Sequence, residues 1–182
     1  MKTMMKIVSA MLIAALLLAG TAMAETKTYI DRDKDLTFLY DDASLKIAME
    51  DETDDELLVI LDGTDPAWGN VFVKIHMADL DEDRGETFPT LADFADLEEG
   101  LNTTVTQGEW NGFRNVFSYE IDDGDAMEYV FIAPVYDNDH ANEVEDILTI
   151  TIGIDKIEDE EAGMQRDDAI SEVLDTLNIL DD

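Results

Sequence analysis

The sequence predicts an α+β fold in which a largely antiparallel central sheet is covered by helices on both faces, an α/β/α sandwich. Three observations predict it. Short apolar or alternating runs follow one another through brief turn signals, so hairpin connections and antiparallel pairing dominate. Two of the runs are apolar throughout, as strands buried on both sides are. Two other segments repeat apolar residues every three or four positions, the spacing of a helix that packs one side on a sheet.

The elements follow in chain order. Residues 1–24 read as a cleaved signal peptide: Lys2 and Lys6 are basic, Ile7 to Ala19 is apolar, and Ala22-Met23-Ala24 is a small-x-small cleavage site. The apolar run is short against the roughly 20 residues that span a bilayer, so no stable membrane anchor is expected after cleavage. No cysteine follows that run to carry a lipid. The expected destination is the periplasm or the medium, and residues 25–182 form one domain.

Within that domain "LTFLY" (36–40) is the first strand, and "SLKIAM" (44–49) alternates Leu45, Ile47 and Met49 with polar or small neighbours. "DETDDE" (51–56) reads as a charged turn and "LLVIL" (57–61) as a strand covered on both faces. "GTDPAWG" (63–69) carries Gly and Asp-Pro loop signals. "NVFVKIHM" (70–77) puts Val71, Val73, Ile75 and Met77 on one face. The period then changes: Thr90 with Asp93 resembles a capping box, and Leu91, Phe94, Leu97 and Leu101 recur at helical spacing. Asn111-Gly112 is a tight-turn signal between strands at 103–110 and 113–121. "AMEYVFIAPVY" (126–136) is a strand in which Pro134 implies a bulge or an edge. "ILTITIGI" (147–154) is the second wholly apolar strand, and Asp167 to Leu177 closes the chain with a helix presenting Ile170, Val173, Leu174 and Leu177.

Charge bounds the partners. The 182 residues hold 45 acidic against 11 basic side chains, a formal charge of −34, and loss of Lys2 and Lys6 makes the mature chain more negative still. Such a field repels nucleic acid and anionic membrane surfaces and favours a cationic or basic partner. The acids run along the whole domain, as on a surface kept hydrated in salt. The absence of cysteine removes thiol nucleophiles, disulfides and cysteine zinc sites from consideration.

The segments "DLTFLYDDASLKIAM", "TLADFADLEEGL", "NGFRNVFSYEI" and "ILTITIGI…AISEVLDTLNIL" together resemble the PsbP-like family of small exported proteins. The resemblance runs over most of residues 27–180. Tyr40-Asp41 stands where that family has Tyr-Pro. It implies a helix-covered sheet and a non-enzymatic binding or assembly module, without naming a partner.

Few residues point to chemistry. Asp79, Asp81 and Asp83 occupy the first three ligand positions of a calcium loop, the basis of an alternative reading as a calcium-binding protein. Arg84 stands where the loop needs Gly, and Thr90 where it needs a bidentate Glu. Asp31, Asp33 and Asp35 repeat the alternation, and Asp137 to Asp139 offer a second acidic loop. His76 and His140 have no metal-ligand spacing, and Ser44, Ser118 and Ser171 lack a nucleophile-elbow setting, which leaves a hydrolase as the weakest reading. Trp68 and Trp110 sit beside glycines in turns and are the candidates for contact with a ligand or partner. The expected cofactor is none, with calcium as the exception under the second reading.

Self-repulsion on this scale predicts salt-dependent stability. Between about 0.01 and 1 M sodium chloride the screening length falls from about 30 to 3 Å, so the thermal midpoint of the mature chain should rise across that range. Circular dichroism melts measure it, and a flat midpoint would show that repulsion does not limit the fold.

Overall fold

The computed structural model describes residues 25–31, 35–80, 86–136 and 143–180. Among these residues are ten strands in two sheets. β1 (Thr26–Asp31), β2 (Leu36–Asp41) and β10 (Asn178–Ile179) form a small sheet in the order β1-β2-β10. The large sheet runs β3-β4-β5-β9-β8-β7-β6, built from β3 (Leu45–Glu52), β4 (Glu56–Gly63), β5 (Val71–Asp79), β6 (Thr106–Trp110), β7 (Phe113–Asp122), β8 (Ala126–Tyr136) and β9 (Val144–Asp155). Every pairing is antiparallel.

Two α-helices accompany the sheets: α1 (Ala95–Leu101), continuing a 3-10 turn at Leu91–Phe94, and α2 (Glu160–Thr176). A second 3-10 turn spans Pro66–Trp68.

The expected α+β sandwich with helices on both faces is therefore wrong: the protein is mostly β, and only one face of the large sheet is closed by a long helix. That inner face carries Leu57, Val59 and Leu61 of β4, Val71, Val73, Ile75 and Met77 of β5, and Leu148, Ile150 and Ile152 of β9. Ala162, Ala169, Ile170 and Val173 of α2 and Tyr29, Leu36 and Phe38 of the small sheet pack on it in one cluster. Burying a side chain of this size contributes about 1.5–3 kcal/mol each, which makes this layer the main source of stability.

The outer face has no such cover. Its helical element is short, and of the expected stripe only Phe94 is buried and Leu97 partly so, while Leu91 and Leu101 are about half exposed. Phe94 and Phe88 pack on Phe117 of β7, with ring centroids 4.9 and 5.6 Å away, and make a small second cluster. Over β4, β5 and β9 the same face presents Leu58, Ile60, Lys74, His76, Thr149 and Thr151, all partly exposed. "LLVIL" is thus one strand in from the edge with alternate residues half covered, not a strand buried on both sides.

Local chemistry sets the remaining boundaries. The backbone N–H of Thr90 and its hydroxyl both donate to Asp93 Oδ2, at 2.7 and 2.8 Å, which fixes the start of the 3-10 turn. Asn102, at φ +50°, ends α1 in the left-handed conformation that asparagine tolerates. α2 begins seven residues before the expected Asp167, because Asp159 accepts from the N–H groups of Glu161 and Ala162 and caps it there. Strand pairing claims Asp51, Glu52 and Glu56, so the charged turn shortens to residues 53–55. Pro134 lies past the last β7 partner of β8, where its missing N–H costs no ladder bond on that side.

Gly153 of β9 is opposite Phe72 of β5, and a Cβ there would come within 2.1 Å of the Phe72 ring. Gly153→Ala should therefore destabilise the protein by about 1–3 kcal/mol, the range for overpacking a fitted contact. Urea unfolding measures this, and Phe72→Leu in the same chain should recover part of the loss by freeing the space.

Candidate functional site

Two rows of residues cross the inner face of the large sheet. One runs Val59, Ile75, Ile150, Phe131, Ser118, Thr106, and the next runs Leu61, Val73, Ile152, Tyr129, Glu120. Both are dry where α2 and the small sheet cover them and turn aromatic, then polar, towards β7 and β6. At that end the sheet bounds an open groove of about 590 Å³, lined by Leu101 to Thr104, Thr106, Ser118, Tyr119, Glu120, Asp122, Tyr129 and Phe131. A smaller recess of about 230 Å³ continues it along β6, sharing Thr106, Ser118 and Phe131 and adding Trp110 and Val116.

The floor is aromatic and ordered by stacking. The Trp110 ring lies 5.1 Å from Phe131 and 6.1 Å from Phe113, close to parallel with both. Asn111, in the tight turn, ties this corner to the end of α2 by donating to the carbonyls of Leu174 and Leu177, both at 2.8 Å. The walls are hydroxyls: Thr106 and Ser118 share a hydrogen bond of 2.9 Å, and the Thr103 hydroxyl donates to the carbonyl of Glu120 at 2.6 Å.

The groove's two carboxylates differ. Asp122 Oδ1 accepts from Lys156 Nζ at 2.5 Å and from the Gly124 N–H at 2.8 Å. The lysine bond first, and the backbone bond second, hold its carboxyl below the ordinary value of 3.8. Glu120 is exposed beside Tyr129, and no basic side chain is among the residues lining the groove. Burial raises the Tyr119 hydroxyl above its ordinary pKa, with Glu128 adding to the shift, so it stays a neutral donor.

The sequence-derived candidates scatter over the molecule. Trp110 belongs to the recess that continues the groove. Trp68 does not: it is buried in the main core under α2, and its Nε1–H meets no acceptor among the described residues. Asp79 ends β5, opposite Asp146 on β9, while Asp81 and Asp83 lie outside the described residues, as do Asp33, Asp137 to Asp139 and His140. Among the described residues no three His, Asp or Glu side chains gather as for a metal ion. His76 meets Glu56 at 3.5 Å, and no hydrogen bond joins it to Ser44, Ser118 or Ser171.

Arg166, unremarked in the sequence, is buried in α2 and donates to the Asp155 carbonyl and to Asp167, both at 2.9 Å. Thr106, Glu120 and Tyr129 were also unmarked, and Ser118 was named only among the serines of the hydrolase reading. Counting back from Asn111-Gly112 opposes Thr106 to Phe117, but a bulge moves its partner to Ser118.

Comparison of the chain with protein-family models, with curated proteins and with solved structures finds no match. The PsbP-like resemblance therefore rests on the sequence segments that suggested it. No helix among the described residues is long and apolar enough to cross a membrane.

Asp122 has a pH signature. A carboxyl held below its unfolded value stabilises the fold above that value, and the contribution is lost as pH falls through the lowered one. Melting-temperature differences between the native chain and Asp122→Asn should accordingly be largest above the ordinary carboxyl value of 3.8 and shrink as the solution is acidified below it.

Proposed function

We propose that the protein is an exported, non-enzymatic binding module that takes a cationic group of a partner protein in the groove over β7 and β8. The observation that carries this reading is the groove's composition: Tyr129 and Phe131 form an aromatic floor beside the exposed carboxylate of Glu120, and no basic side chain lines it. A cation over an aromatic face gains about 0.5–2 kcal/mol, and the net charge of the chain draws basic partners toward it from a distance. The hydroxyls of Thr103, Thr104, Thr106 and Ser118 offer hydrogen bonds without positive charge.

Calcium binding is the second reading, and one observation favours it. Asp79 and Asp146 oppose each other at the end of the β5–β9 ladder, and Asp81 and Asp83 follow Asp79 closely in the sequence. A calcium ion there would bring oxygen ligands from both strands.

One calorimetric series separates the two. Tetralysine titrated at about 0.15 M salt should bind the native chain and lose roughly 5- to 30-fold in affinity to Tyr129→Ala or Glu120→Gln, the equivalent of about 1–2 kcal/mol. Equal binding by all three proteins would show that the attraction is diffuse and the groove irrelevant. Saturable heat with calcium chloride that disappears in Asp79→Asn would move the assignment to the end of β5.

A further inference from the structure

The two edges of the large sheet are not alike. β3 ends the sheet on one side, and it is blunted: Ala48 is an extra residue that bulges the strand itself, and Glu50, Asp51 and Glu52 follow in a row. Bulges and clustered charges are devices that stop a strand edge from pairing with another chain. β6 ends the sheet on the other side without them. Its neighbour β7 holds the extra residue, with Arg114 and Asn115 together opposing Glu109, so β6 keeps an unbulged run. That run, Thr106-Gln107-Gly108-Glu109, is exposed along its length and carries a single charge, and among the described residues nothing pairs with its outer side.

Hollows flank β6 as well. Thr106 and Trp110 face the inner recess with Ser118 and Phe131. Gln107, Gly108 and Glu109 border that recess too, and they also line a cavity of about 440 Å³ with Arg114 and Asn115 of β7, while Gln107 opposes Phe117 on the other face. An open strand edge with hollows for alternate side chains is the form that accepts an extended peptide as an added strand.

We infer that the partner enters as an extended basic segment paired to the outer edge of β6, with its cationic side chains laid across β6 into the groove. This rests on the groove reading above and adds the mode of binding. Strands lie about 4.8 Å apart, so a lysine on the added strand at the level of Thr106 leans over the start of β6 toward Ser118, and Glu120 with Tyr129 is the next inward pair along β7. The occupant is a basic peptide and not a second copy of this chain, because two copies would bring a charge of −34 each to the same edge. Arg114 is held over the Tyr136 ring at 5.4 Å on the other side, which suits a segment whose basic residues alternate with neutral ones.

The probe is acetyl-(Lys-Thr)4-amide, whose lysines share one face when extended, against a twin N-methylated on its four central residues. The two carry the same charge, but the twin cannot pair along either edge. Calorimetry on the mature chain should give at least about a tenfold weaker affinity for the twin. Amide exchange at Gln107 to Glu109 should slow with the parent peptide, and exchange along β3 should not. If the twin binds within twofold of the parent while Tyr129→Ala weakens both, the edge inference is overturned and the groove reading stands. If neither peptide binds beyond what about 0.3 M sodium chloride removes, both fall.

Discussion

The molecule depends on one face of one sheet being dry. A chain this acidic repels itself, and its compactness has to come from apolar area gathered in one place. The inner face of β4, β5 and β9 supplies it through the alternation of Val, Ile and Leu, and the antiparallel ladders hold those residues in step. The small sheet and α2 exist structurally to close that face. The last two-residue strand, β10, returns the end of the chain to β2 directly after the helix, so the lid is stitched down at both ends.

The sparse cations are used where they hold ends together. Lys27 bridges to Asp42 across the first hairpin at 2.5 Å, and that bond raises its pKa. Lys156 joins Asp122 where β9 leaves the sheet, and Arg166 anchors α2 to the carbonyl of Asp155. Exposed pairs of this kind contribute little on their own. Their value lies in geometry: each fixes the place where a strand gives way to a turn. Arg166 is the exception, since a buried guanidinium without its partners would be costly.

Much of the β structure was legible. Alternation in β5, the Asn-Gly turn between β6 and β7 and the Thr90–Asp93 cap each have a local cause, and each occurs where the residues indicated. What failed was coverage. Periodicity over Leu91 to Leu101 promised a helix large enough to roof a face, yet the helix is short, and Leu91 and Leu101 stay about half exposed. Periodicity reports which residues could share a side, not how much area that side meets. The start of α2 was missed because the residues after Asp159 are mostly acidic or small and show no apolar period, although acids at a helix N-terminus are favoured by its dipole. β1 and β10 carry too few apolar residues to stand out, and they form because β2 lies between them. The groove was invisible because it assembles across three strands and the segment before them, and a one-residue bulge decides which side chains meet.

That bulge has a consequence for how the protein can vary. Asn115 takes a left-handed backbone at φ +60° and gives its side chain to the Tyr136 hydroxyl at 2.8 Å. It sets the parity of the hairpin: every residue from the turn side of β7 is counted odd or even relative to Phe117 through this one position. Chains tolerate insertions and deletions in loops, and losing Asn115 would only remove the bulge, but straightening β7 with both residues kept would turn Trp110 and Phe113 to the opposite face while leaving Phe131 where it is. The bulge therefore absorbs an extra residue without cost to the lining of the groove, and a straight strand of the same length would exchange that lining for its back.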